Sequence, residues 1–214
     1  MTDPTPPELD PRATALLVLD CQRATLAALP EPAGAEALVA RVAGAVAELR
    51  AHGAAVAHVR VGFTEADWAA TPPGNRTFSA VARRRLLHHA DPGTAFHPRL
   101  VPGPGDLTAR KTRLGALSTT GLDRRLRERA ITTLVVAGLT TSGAVLSTVT
   151  DAADRDYRLY VLSDGVADPD PGTHRALMAG VLPRLAHLVD TAALRSLLPA
   201  DRGRAGQVLP GSRR

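Results

Sequence analysis

Ile131-Thr-Thr-Leu-Val-Val-Ala137, followed at once by Gly138-Leu-Thr-Thr-Ser-Gly-Ala144, decides the fold. An apolar run without alternation is the pattern of a strand covered on both faces. The turn then passes the chain to Val145, Leu146, Val149, Ala152 and Ala153, spaced along one face of a helix expected over 141–156. Thr141 and Ser142 are good caps for that helix. Residues 158–163 read as the next strand, so strand, turn and helix form one β-α-β unit.

The same alternation extends in both directions. Ala15-Leu-Leu-Val-Leu19 is a second apolar run, and it ends at Asp20. Leu38, Val42, Ala45, Val46 and Leu49 predict a helix over 34–52, stopped by Gly53, and residues 55–61 read as a strand. The stretch 62–105 is irregular, with a short helix near 78–88 and loops past Pro92, Pro98, Pro102 and Pro104. A strand at 107–111, helices near 120–130 and 171–181, and a last strand near 187–190 complete the order. Strands alternating with helices predict an α/β fold: a central, mostly parallel sheet with helices on both faces. Ligands in such folds lie beyond the carboxyl ends of the strands. Asp20, Lys111 and the turn at 138–144 all fall there.

With 214 residues the chain is read as one domain over 13–198, preceded by a flexible segment, 1–12, and followed by a basic disordered tail, 199–214. It is 44% hydrophobic but only 3% aromatic, so Ala, Val and Leu must build the core. The net charge of +5 is concentrated in the tail, where four arginines face Asp201. No nucleic-acid recognition motif accompanies it, so nucleic acid is not expected as a partner. No apolar run approaches the roughly 18 residues of a membrane helix, and the polar, proline-rich start lacks the core of a signal peptide. A membrane partner is therefore not expected, and the reading is cytoplasmic. Cys21 is the only cysteine, so no internal disulfide can form.

Lys111 is the only lysine against 25 arginines. Lysine is a compact ammonium whose proton affinity can be tuned, where arginine is a broad fork that stays charged. Asp20 closes an apolar strand, where burial raises a carboxyl pKa unless a cation lowers it again. Lys111 is the candidate cation, and such a pair can position a proton. The bland alternatives are a structural ion pair and a local cap. Backbone amides at the start of the 141–156 helix can hold an anion.

ALLVLDCQ, PGPGDLTARK, TTLVVAGLTTSGAVLSTVTDAADRDYRLYVLSDGVAD, THRALM and LPRLAHLVDT together resemble the isochorismatase-like (cysteine hydrolase) superfamily over residues 13–195. The resemblance implies a three-layer α/β/α sandwich. It places the family's Asp–Lys–Cys triad at Asp20, Lys111 and Ala144, so the cysteine position holds alanine. It also implies a cis peptide at Leu139–Thr140 and an oxyanion hole from the amides of Thr140 and Ala144, within an anion-binding turn of Thr140, Thr141, Ser142, Gly143 and Ala144.

Alanine offers no nucleophile. Ser142 is offset by two residues, and Cys21 reads as core. True isochorismatases of the superfamily resemble this chain in lacking the cysteine; they hydrolyse a vinyl ether with a general acid, a role open to Asp20. Two functions follow: a cysteine-independent hydrolase of a small molecule, or a ligand-binding member that has lost its nucleophile. Neither cofactor nor metal is expected, because the metal-binding histidines of some relatives have no counterpart in VRVGFTEADWAATPPGNR. Relatives wall the pocket from that region, which makes Trp68 and Phe63 candidate substrate contacts. A homo-oligomer is implied by resemblance alone.

Overall fold

The computed structural model describes residues 6–30 and 32–200. Six strands form one sheet: β1 (Thr14–Leu19), β2 (Ala55–Val61), β3 (Leu107–Lys111), β4 (Thr133–Leu139), β5 (Arg158–Ala167) and β6 (His187–Val189). Their order is β3-β2-β1-β4-β5-β6, and every neighbouring pair is parallel. The chain therefore builds outward from β1 in one direction and from β4 in the other. The order reverses between β1 and β4, where Leu19 lies beside Gly138. The α helices are α1 (Arg23–Leu26), α2 (Pro32–Ala51), α3 (Glu65–Ala69), α4 (Phe78–Arg83), α5 (Leu122–Arg127), α6 (Leu146–Ala153), α7 (Pro171–Gly180) and α8 (Thr191–Ser196).

Period-two alternation in β1 divides the core. Leu16 and Val18 pack with Leu38, Val42 and Leu49 of α2 and Leu194 of α8. Leu17 and Leu19 pack with Leu122 and Leu126 of α5 and Val149 and Ala152 of α6 on the other face. The result is the expected α/β/α sandwich, with β1 and β4 buried along their whole length. A third, smaller cluster of Val61, Phe63, Trp68 and Phe78 sits under the loops beyond β2. Before β3, the Asp106 carboxylate accepts from the Gly103 amide at 2.7 Å and lies 3.1 Å from His58 Nε2. Arg50 of α2 also bonds it. The Gly-Asp pair thereby fixes where β3 starts against β2 and α2.

The structure departs from the sequence reading in several elements. Residues 7–10 are held: Leu9 is buried, its amide donates to the Leu197 carbonyl at 2.9 Å, and the Tyr160 hydroxyl donates to the Pro7 carbonyl at 2.7 Å. The flexible segment expected at 1–12 is thus docked from Pro7 onward; residues 1–5, and 201–214 of the expected tail, lie outside the described residues. β5 runs to Ala167, past a register shift against β4 between Val136 and Gly138. The short helices α1, α3 and α8 were not legible in the sequence. Their starts are held by caps, Thr64–Asp67 for α3 and Asp190 for α8.

Candidate active site

Asp20 leaves β1 with φ +49, a left-handed conformation that aspartate tolerates better than most residues. Its amide still donates to the Val59 carbonyl at 2.9 Å, and its own carbonyl accepts from the Gln22 amide at 2.8 Å. The backbone is thus held on both sides while the side chain turns off the strand. Oδ2 meets Lys111 Nζ at 2.7 Å, and both side chains are buried. Oδ1 is buried with no hydrogen-bond partner. Burial pushes the Asp20 carboxyl above its ordinary value, and the Lys111 charge offsets part of that rise. The sequence expectation of a strand-end carboxylate paired across the sheet is therefore realised as geometry. Lys111 reaches it from β3, past β2, and its ammonium also donates to the Arg113 carbonyl at 3.1 Å.

Gln22 supports this arrangement and was not singled out from the sequence. It is fully buried. Its Nε2 donates to the carbonyls of Val61 and Thr94, both at 2.8 Å, and its Oε1 accepts from the Val61 amide at 2.9 Å. The side-chain amide stands in for a strand, joining the end of β2 to the loop that carries Thr94. An amide two residues after the strand-end carboxylate was the available signal.

The turn after β4 depends on Gly138, whose φ is +113. A β-carbon there would lie 2.0 Å from the Leu19 carbonyl oxygen, so only glycine lets β4 pass the end of β1. The Leu139–Thr140 peptide is cis. The next turn, Thr141–Val145, is wound wider than an α-helix, with the amides of Gly143 and Val145 returning to the Thr140 carbonyl at 3.2 and 3.0 Å. α6 proper begins only at Leu146.

The caps differ from the expected local ones. Ser142 gives both its amide, at 2.8 Å, and its hydroxyl, at 2.6 Å, to Asp168 beyond β5. Thr141 bonds His174 Nδ1 of α7 at 2.9 Å. Asp168 and His174 thus hold the turn from outside it, a role set by segments distant in sequence and invisible in local spacing. Ala144 is buried and packs in the cluster that contains Leu19.

Two expected site residues are placed elsewhere. Phe63 is fully buried, and Trp68 is nearly so, with its indole N–H donating to the Leu86 carbonyl at 3.1 Å. Both serve packing; Phe63 cannot contact a substrate, because the cluster of Val61, Trp68 and Phe78 encloses it. One edge of Trp68 lines a cleft of about 690 Å³ between α3 and α4, which none of Asp20, Lys111 and Ala144 lines. Cys21 packs with the α2-side core, and burial followed by the Asp20 charge pushes its thiol up to about 12. Among the described residues no cluster of three or more His, Cys, Asp or Glu side chains could hold a metal ion. None of the described helices is long and apolar enough to cross a membrane.

Comparison with known proteins agrees with this fold. The isochorismatase domain profile matches residues 14–193. A ureidoacrylate amidohydrolase, RutB, of Methylobacterium radiotolerans is 33% identical, covering 97% of this chain and 88% of its own length. An uncharacterised isochorismatase family protein, YecD, of Escherichia coli O157:H7 is 30% identical over 85% of this chain and 94% of its own. Among solved structures, an isochorismatase family protein from Burkholderia thailandensis superposes with a TM-score of 0.76 at 27% identity, covering 89% of this chain and 97% of that one. The chain belongs to the isochorismatase family of hydrolases.

Proposed function

We propose that this protein hydrolyses a small carboxylate carrying an oxygen- or nitrogen-substituted C=C bond, without a covalent enzyme intermediate, and that Asp20 is the general acid. The observation that carries this reading is the Asp20 carboxyl itself. One oxygen is held by Lys111, the other is buried and unpartnered, and burial favours the protonated form. A carboxyl in that state can act as a general acid where an ordinary carboxyl would already be ionised. The available nucleophiles point the same way. Residue 144 is alanine, the Cys21 thiol is pushed up to about 12, and the Ser142 hydroxyl is bonded to Asp168.

The step balances without a cofactor. Asp20 transfers its proton to the alkene carbon, the π pair forms the new C–H bond, and the positive charge moves to the carbon bearing the heteroatom. Water adds there and returns a proton to the Asp20 carboxylate. The adduct collapses to a carbonyl compound, expelling the alcohol or amine portion. Lys111 stabilises the carboxylate form between the two proton transfers. Isochorismate, with its enol ether, and ureidoacrylate, named in the relatives above, both place a heteroatom on a C=C bond next to or conjugated with a carboxylate. In this reading the enzyme is a cytoplasmic homo-oligomer by family resemblance.

Pyruvate release from isochorismate, and urea release from ureidoacrylate, are the direct tests, with Asp20→Ala and Lys111→Ala alongside. Turnover of either compound that both variants abolish supports the reading. Turnover that survives in Asp20→Ala removes the general acid. The second reading, a ligand-binding protein, is favoured by the alanine at position 144. It is the conclusion if the wild type binds these compounds and releases nothing.

A further inference from the structure

Around the carboxyl ends of β1, β2 and β3, four cationic side chains already have partners. Lys111 holds Asp20 and the Arg113 carbonyl. Arg110 pairs with Asp67 at 2.6 Å, Arg85 pairs with Glu65, and Arg60 donates to the carbonyls of His89 and Thr94. Arg113 differs. It is half-buried, its guanidinium carbon lies 5.6 Å from the Phe78 ring centroid, and its Nη1 donates to the Thr112 carbonyl at 2.6 Å. Among the described residues, no carboxylate forms an ion pair with it.

The position of Arg113 ties it to the site. Its carbonyl is one of the two groups that hold the Lys111 ammonium. The next residue, Leu114, is 40% exposed and stands over the turn that carries Ala144; a β-carbon built at Gly143 would lie 3.4 Å from Leu114 Cδ2. Residues 111–114 therefore run from the buried carboxyl to that turn. Lys111, committed to Asp20, is poorly placed to hold a second carboxylate. A guanidinium laid on an aromatic face, with most donors unused, is pre-organised for a planar anion and accepts a carboxylate through two parallel bonds.

We propose that Arg113 anchors a carboxylate of the substrate and that Leu114 forms the apolar wall beside it, making this a site for small carboxylates with an apolar stem. The inference rests on Asp20 marking where the substrate binds. It assigns the charge recognition to a residue outside the Asp20–Lys111 pair.

The test uses a matched pair of probes that cannot undergo alkene protonation: 3-ureidopropionate and its uncharged amide, 3-ureidopropionamide. Calorimetric titration of the wild type should show the acid binding at least tenfold more tightly than the amide. Arg113→Met keeps an apolar stem over Phe78 and should abolish that preference. Arg113→Lys keeps the charge but not the fork, so it should retain part of the preference, and it covers the case in which the methionine variant fails to fold. Asp20→Asn should keep the preference. An acid preference that survives in Arg113→Met, or one that is absent from the wild type, overturns the proposal. If the preference depends on Arg113 but neither isochorismate nor ureidoacrylate is turned over, the anchor stands and the reaction proposed above fails.

Discussion

Asp20 makes the stability of the folded protein depend on pH in a definite direction. Its folded carboxyl binds a proton more tightly than the ordinary value of 3.8, because burial outweighs the Lys111 charge. The stabilisation tied to that proton is complete below 3.8 and is lost as pH rises through the folded value. The unfolding free energy of wild type relative to Asp20→Asn should therefore fall as pH rises above 3.8; a difference that stays flat with pH would remove the raised pKa. Lys111→Met removes the charge that offsets part of the rise in the Asp20 pKa, so it should steepen the fall, and adding Asp20→Asn to it should remove the pH dependence. Thermal melts of the single and double variants measure this directly.

Thiol chemistry offers a second check at the same scale. Cys21, buried and pushed up to about 12, should resist iodoacetamide at pH 8 in the native protein. Asp20 and Lys111 were legible because a charged residue closing an apolar run has few places to go. Trp68 and Phe63 were not, because an aromatic residue after a strand reads the same whether it faces a ligand or a core. Only the neighbours Val61 and Phe78, brought in by loops, decide between them.

Among the elements, the strands were legible and the short helices were not. An apolar run announces a covered strand by itself, whereas α1, α3 and α8 depend on caps and loop contacts. The start of α6 shows the limit well: Thr141 and Ser142 are cap-type residues, but their hydroxyls bond to His174 and Asp168 instead. Two substitutions test how firmly the elements are set. Gly138→Ala drives a methyl group into the Leu19 carbonyl at a positive φ and should cost about 3 kcal/mol, seen as a lower unfolding midpoint in urea. Gln22→Ala strips buried partners from Val61 and Thr94, at a cost of about 3 kcal/mol. Faster hydrogen exchange at the Val61 amide, without a matching change in β5, would locate that loss at the end of β2.

At the scale of the molecule, the candidate site lies where the strand order reverses. The end of β1, just before Asp20, lies beside Gly138 of β4, while β3 sends Lys111 across β2. The alternation of strands and helices foretold the parallel sheet, but not the order of its strands. That order comes from which apolar faces each helix can cover once the chain has collapsed.

The single, buried lysine has a consequence for handling the protein. A protease specific for lysine has one bond to cut, between Lys111 and Thr112, at the end of a strand inside the fold. The native chain should resist it, and each molecule that opens should yield two fragments, 1–111 and 112–214. The appearance of that pair on a gel would count unfolding events one by one, with no label added.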